Sequence, residues 1–207
     1  MHTLHIEPGI LTPSMRLLNE KYRFDTMAAR QACLNQANLP MGSRVLDVGT
    51  SSGWMAIVLA AASHRVVAID SDRDTLERAR RLANQICADL AEKIDFVPAD
   101  VGAMPFEDDS FDGVFSFESL HHFPACSTAL QEMYRVCRPG GAVTIADLDA
   151  DGLCVVRECL QDLTGQRHEE NPCRLVTLEH LLQKWGTVER HDILCPYPKS
   201  LSVKGNK

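Results

Sequence analysis

The chain has 207 residues with 21 Lys and Arg against 28 Asp and Glu, a formal charge of -7 and a pI near 5.6. That length suits one well-buried domain with a short extension rather than two comfortable ones. The acidic balance argues against a nucleic-acid partner, which would need clustered Lys and Arg to displace counterions, so a small-molecule substrate is expected, with room left for a homodimer.

Residues 1 to 12 contain Pro8 and Gly9 and show little periodicity, which predicts an extended arm leading into a helix near Ser14. The start lacks the basic and then apolar order of a signal peptide, and no apolar run reaches membrane-spanning length. A soluble, cytoplasmic protein without a membrane span is the expectation. From Ser14 to about Asn38, Leu17, Leu18, Phe24, Met27, Cys33 and Leu34 follow a loose helical period, with a break between Lys21 and Asp25.

Strands are predicted at 44–48, 65–70, 94–97, 111–117 and 142–148, most of them rich in Val, Ile, Leu or Phe as strands covered on both faces are. Helices separate the first three: an all-round apolar one from Trp54 to Ser63, and an amphipathic one capped by Ser71 or Asp72 with Leu76, Ala79, Ala83, Ile86 and Leu90 on one face. An acidic loop covers 101–110. A helix opened by Pro124 is expected to stop abruptly at Arg138-Pro139-Gly140-Gly141. Alternating strands and helices imply right-handed βαβ units and an α/β fold with a parallel sheet.

Beyond Asp147 the pattern predicts helices at about 152–163 and 177–185, then strands at 188–194 and 201–204 forming an antiparallel hairpin at one sheet edge. Eight cysteines, at 33, 87, 126, 137, 154, 159, 173 and 195, show no C-x-x-C pair and read as reduced core residues.

The chemistry concentrates after the first strand. Gly49, Ser51 and Gly53 form a G-x-S-x-G turn, and Asp70 lies 21 residues past Gly49 at the end of the next strand. A glycine turn permits close backbone approach, and such a carboxylate can accept both hydroxyls of a ribose. A dinucleotide fingerprint would require G-x-G-x-x-G, whereas here Asp47 precedes the glycines and would repel a pyrophosphate. An NAD-type oxidoreductase is therefore disfavoured. A cationic ligand with an amino group, such as S-adenosylmethionine, fits.

With these motifs in place, the chain resembles the class I S-adenosylmethionine-dependent methyltransferases, in particular the small-molecule branch related to ubiquinone and menaquinone biosynthesis. The resemblance covers about residues 40 to 150. It is carried by Val45 to Gly53, by Val67 to Ser71, by Asp100 and Val101, by Met104 to Asp112, by Ser116 to Phe123 and by Glu132 to Gly141. It implies a Rossmann-like, seven-stranded, mostly parallel sheet in the order 3-2-1-4-5-7-6, strand 7 antiparallel, with helices on both faces. Residues 40–207 would form the methyltransferase domain and 1–39 a helical arm or lid.

By the same resemblance Asp47, Gly49 and Gly53 would hold the methionine part of S-adenosylmethionine, Asp70 the ribose, Asp100 and Val101 the adenine, and Phe117 and Glu118 the floor near the sulfonium, with Thr50, Ser51 and Ser71 also among the cofactor-binding residues. Ser51 departs from the family, which usually has Gly there; a positive φ at that position would strain a serine. His121 and His122 follow strand four at the rim where ligands bind in such sheets and are candidate general bases. Tyr22, Arg23 and the polar insert Gln166 to Arg174 are candidates for contact with the acceptor.

No metal is expected: Asp147, Asp149 and Asp151 with Glu118 read as a solvated acidic loop, and Cys154, Cys159 and Cys173 as buried helix cysteines rather than thiolate ligands. Phe117-Glu118-Ser119-Leu120 stands where methyltransferases of amide or adenine nitrogen carry an Asn/Asp-Pro-Pro-aromatic motif, which counts against DNA and glutamine substrates. The expected activity is in-line methyl transfer to a small molecule; the alternative is a non-catalytic binder of S-adenosylmethionine or S-adenosylhomocysteine.

Overall fold

The computed structural model describes residues 10–22, 24–148, 150–165, 175–192 and 198–205. The arm before residue 10, Arg23, Asp149, the insert 166–174, Cys173 and Cys195 lie outside them.

Two helices come first. α1 (Pro13–Lys21) begins at Thr12, whose Oγ1 accepts a hydrogen bond from Met15 N at 3.2 Å, with Pro13 supplying the fixed φ favoured at a first turn. α2 (Thr26–Ala37) begins at Asp25, which accepts from Met27 N and Ala28 N, and ends where Asn38 turns left-handed at φ 47°. The break expected between Lys21 and Asp25 falls between these helices.

The βαβ series follows: β1 (Arg44–Val48), α3 (Trp54–Ala61), β2 (Arg65–Asp70), α4 (Arg73–Ile86), α5 (Ala88–Ala91), β3 (Ile94–Pro98), β4 (Phe111–Phe117), α6 (Cys126–Val136), β5 (Cys137–Leu148), α7 (Ala150–Thr164), α8 (Leu175–Leu182), β6 (Gly186–Asp192) and β7 (Pro198–Gly205). The sheet order is β3-β2-β1-β4-β5-β7-β6. β1 to β5 are mutually parallel, as the alternation of strands and helices requires, and β7 pairs antiparallel with both β5 and β6.

Two local differences from the sequence reading have physical causes. The amphipathic helix is interrupted at Cys87, which is extended at φ -167°, so Leu90 belongs to the separate short helix α5. The Arg138–Gly141 turn does not precede the fifth strand but interrupts it: Cys137 pairs with Phe111 and Ala142 with Gly113, so extra residues bulge from β5. Gly140 takes φ 73°, and at Gly141 a Cβ would stand 2.8 Å from Asp112 O.

Alternation along the strands gives the sheet two apolar faces. Val45, Ala68 and Phe115 pack with α2 and α3 on one side, and Leu46, Val67, Ile69 and Val114 pack with α6 on the other. Residues 54–60 of α3 are all buried, which accounts for a helix apolar all round. Cys33, Cys87, Cys137, Cys154 and Cys159 are free thiols. Cys126 corrects the expectation of reduced cysteines throughout: it is disulfide-bonded, and it stands half-buried at the first turn of α6 rather than in the core.

Candidate active site

At the carboxyl end of β1 an acid occupies a place in the core. Asp47 lies two residues after Val45, on the same face, beside Phe115 of β4, and is 1% exposed. Burial pushes its carboxyl up to about 6, against the Thr50 hydroxyl, which donates to Oδ2 at 2.6 Å, and the guanidinium of Arg30.

The turn that follows is held at several points. Gly49 N and Thr50 N both donate to Ile69 O, at 3.0 and 2.9 Å. Gly49 has φ 71°, and a Cβ there would stand 2.8 Å from Ser119 Cβ, so only glycine fits. The Ser119 hydroxyl donates to Gly49 O at 2.7 Å and ties the end of β4 to this loop. Ser51 has φ 49°, so the departure from the family pattern does fall on a left-handed residue. Its N–H donates to Asp70 Oδ2 while Asp72 N donates to Asp70 Oδ1, both at 3.1 Å, so one carboxylate fastens the loop to the start of α4.

The second wall comes from the end of β4. Glu118 sits at φ 51° with its N–H donating to Ala146 O at 2.7 Å; its Oε1 is buried without a hydrogen-bond partner, and burial raises its carboxyl above the usual range. A 3₁₀ turn over Leu120–His122 then presents the histidine pair. His121 Nδ1 lies 2.6 Å from Asp147 Oδ1, and His121 N donates to Asp147 Oδ2 at 3.1 Å. The ring of exposed His122 is 4.1 Å from that of His121.

Helices from both sides of the chain cover these walls. Thr12, Met15 and Leu18 from α1 and its cap, Thr26 and Arg30 from α2, and Val156, Cys159 and Leu160 from α7 complete a cavity of roughly 200 Å³. Arg30 Cζ lies 4.2 Å from the centroid of the Phe117 ring, a cation–π placement, and Arg30 Nη1 donates to Thr26 O at 2.7 Å.

The structure thus brings Asp47, Gly49, Thr50, Ser51, Phe117, Glu118, His121 and His122 to one cavity. Gly53 stands behind it as the N-cap of α3, and Asp70 and Ser71 stand at the end of β2. Asp100 and Val101 follow β3, where Asp100 Oδ1 accepts from Gly102 N at 2.8 Å. Tyr22 does not reach the lining: it packs on the core below Lys21, whose Nζ is 5.0 Å from its ring. Asp147 is not part of a solvated acidic loop, being 4% exposed and bound to His121. Among the described residues no cluster of acids, histidines and cysteines has metal-binding form. Arg30 was not singled out by the sequence, although it interrupts the stripe Thr26, Ala29, Cys33, Leu34 and Ala37 that α2 buries, and that interruption is a readable signal.

The orphaned Glu118 Oε1 and the buried Asp47 carboxylate suit a ligand that brings its own positive charge, which is the donor set expected for S-adenosylmethionine. Comparison with known proteins agrees. Residues 46–145, just under half of the chain, match the family described as "Methyltransferase domain".

Among its relatives, methyltransferase GfsG of Streptomyces halstedii is 37% identical over 154 residues, covering 72% of this chain and 52% of that protein. The demethylmenaquinone methyltransferase of Clavibacter sepedonicus is 34% identical over 116 residues, 56% of this chain and 45% of the relative. The chain therefore spans about half the length of these relatives. The solved structure of the PH0226 protein from Pyrococcus horikoshii OT3 shares the fold, with a TM-score of 0.76 at 20% identity over 95% of this chain and 97% of that one.

Proposed function

We propose that the chain transfers a methyl group from S-adenosylmethionine to a small-molecule acceptor, with His121 as general base and Asp147 as its positioning residue. The observation that carries the reading is the convergence on a single cavity of the Asp47–Ser51 loop and of His121, whose Nδ1 is held by Asp147 behind it. S-adenosylmethionine, when bound, supplies a methyl group already activated on a sulfonium.

What remains for the protein is to bind, to orient and to take a proton. Asp47 and the Gly49–Ser51 backbone hold the methionine end, and the open lone pairs of Asp70 and the side chain of Asp100 serve ribose and adenine at the ends of β2 and β3. Phe117 and Glu118 form the floor. α1 and α2, the described part of the N-terminal arm, act with α7 as a roof that excludes water; orientation within such an enclosure accounts for about 7–11 kcal/mol of barrier lowering in favourable cases. Asp147 accepts at Nδ1 of His121, fixing the tautomer in which Nε2 is the basic nitrogen, and the imidazole takes the proton of the acceptor hydroxyl.

Of the relatives named above, the demethylmenaquinone methyltransferase acts by its name on a small molecule, which supports this acceptor class. The test is incubation with labelled S-adenosylmethionine and a metabolite extract. Label should move to a small acceptor; a protein that binds S-adenosylhomocysteine and never moves label would instead be a sensor. With the acceptor in hand, H121N and D147N should lower kcat by about 100-fold or more without weakening S-adenosylhomocysteine binding. Unchanged kcat and an unchanged pH profile in both variants would remove His121 from the role.

A further inference from the structure

Two segments that carry the resemblance, Met104 to Asp112 and Glu132 to Gly141, have no part in the reaction as described. The structure joins them. Between β3 and β4 the backbone over residues 101–110 forms no helix or strand, and side chains of α6 hold it instead. Glu132 Oε2 accepts from Met104 N at 2.8 Å. Arg135 donates from Nη2 to Met104 O at 3.1 Å, and from Nη1 to Phe106 O at 2.7 Å and to Asp108 Oδ1 at 2.8 Å. Arg135 Nε and Nη2 also donate to the two oxygens of Glu132, at 2.6 and 2.7 Å, in a bidentate fork that a lysine could not make.

The grip falls next to the turn that presents Asp100. Ala103 N donates to Asp100 O at 3.1 Å and Gly102 N to Asp100 Oδ1 at 2.8 Å, so residues 100–103 fold on themselves immediately before Met104. Asp100 is exposed, and with Oδ1 taken by Gly102 its Oδ2 is left for a ligand. Met104 is held at both its N–H and its C=O, while its buried side chain packs in the core on the α6 side of the sheet. The apolar anchor fixes where the loop lies. The two polar contacts fix how its backbone is turned, and with it the direction of the Asp100 carboxylate. Arg135 also holds the Glu132 carboxyl below its usual range, so the pair stays charged at neutral pH.

We infer that Glu132 and Arg135 are positioning residues for recognition of the cofactor's base: they set the Asp100–Ala103 turn so that the Asp100 carboxylate meets the amino group of adenine. The inference rests on the proposed methyl-transfer reading, which puts adenine at the end of β3. Hypoxanthine carries a carbonyl oxygen where adenine carries that amino group, so it would face the carboxylate without a donor. Selectivity between the two bases therefore reports the direction of Asp100, whereas a loss of packing elsewhere would not change it.

The test is calorimetry on the whole chain with S-adenosylhomocysteine and S-inosylhomocysteine. Both are titrated into the wild type, R135Q, R135K, E132Q and R138Q, with circular dichroism to establish that each is folded. R138Q is the structural control, because Arg138 makes an ion pair with Asp112 at 2.9 Å that ties β5 to β4 rather than to the loop. The wild type should bind S-adenosylhomocysteine about 10–100-fold more tightly than S-inosylhomocysteine, and R138Q should keep that ratio. R135Q and E132Q should each bring it down to about threefold or less by weakening S-adenosylhomocysteine, and R135K, which keeps the charge but not the fork, should restore only part. Should R135Q not fold, E132Q and R135K carry the comparison. A ratio unchanged in the Arg135 and Glu132 variants overturns the inference, whatever stability they lose, and so does a ratio that falls equally in R138Q. A wild type that binds both nucleosides alike also overturns it and leaves the methyl-transfer reading standing. A wild type that binds neither refutes that reading, and the inference falls with it.

Discussion

Ser51 holds φ at 49°, where a Cβ crowds the backbone, and it does so in the loop that faces the cavity. Two hydrogen bonds to Asp70, one from Ser51 N and one from Asp72 N, keep the turn in that shape despite the strain. S51G should therefore stabilise the fold by up to about 1 kcal/mol, the relief of strain being partly offset by the greater freedom of glycine in the unfolded chain. Urea denaturation reads this directly, and a loss of stability would show that the hydroxyl matters more than the dihedral. Ser51 was legible because a glycine-rich turn states in advance where positive φ falls. Arg30 was less so, since a sequence shows which residues share a helix face but not which faces meet over a cavity. Asp147 was misread for a related reason: at a strand end, solvation and pairing with a residue 26 positions away look alike until the partner is placed.

At the scale of elements, the approach of α3 to α4 depends on Gly53. Its φ is 84°, and a Cβ there would stand 2.9 Å from Ala79 Cβ in the middle of α4. G53A should cost roughly 2–4 kcal/mol, from backbone strain and overpacking together. Because the clash is with a single methyl group, A79G in the same chain should recover part of it, and a double-mutant cycle should show coupling of about 1 kcal/mol or more. Independent losses would mean that the dihedral alone demands glycine. Strands β1 and β4 were fixed to the residue by their apolar runs, whereas β5 was placed five residues late. Local rules read Pro139-Gly140-Gly141 as a terminator, and only the pairing of Cys137 with Phe111 turns the same residues into a bulge.

For the molecule as a whole, the buried acid at the end of β1 sets a pH dependence. The carboxyl of Asp47 is raised by burial from 3.8 to about 6. The folded state thus binds its proton more tightly than the unfolded chain does. That contribution to stability is fully present below about pH 3.8 and is lost as pH rises through about 6, to the extent of about 3 kcal/mol. D47N should abolish this component, becoming more stable than the wild type at pH 8 by on the order of 3 kcal/mol while losing the advantage at acid pH. Ligand affinity should run in the opposite sense: S-adenosylhomocysteine should bind the wild type more weakly below about pH 6, where Asp47 is protonated, and D47N should show a flat, weak profile across the same range. Parallel stability curves for the two proteins from pH 4 to 8 would remove Asp47 as the titrating group.

The cavity roof also has a consequence for synthesis. Met15, Leu18 and Arg30 leave the ribosome well before the Asp47 loop, and Val156 to Leu160 leave it last among the cavity walls. The full lining therefore exists only in a chain translated past Leu160, with β6 and β7 still to be added to the edge of the sheet beside β5.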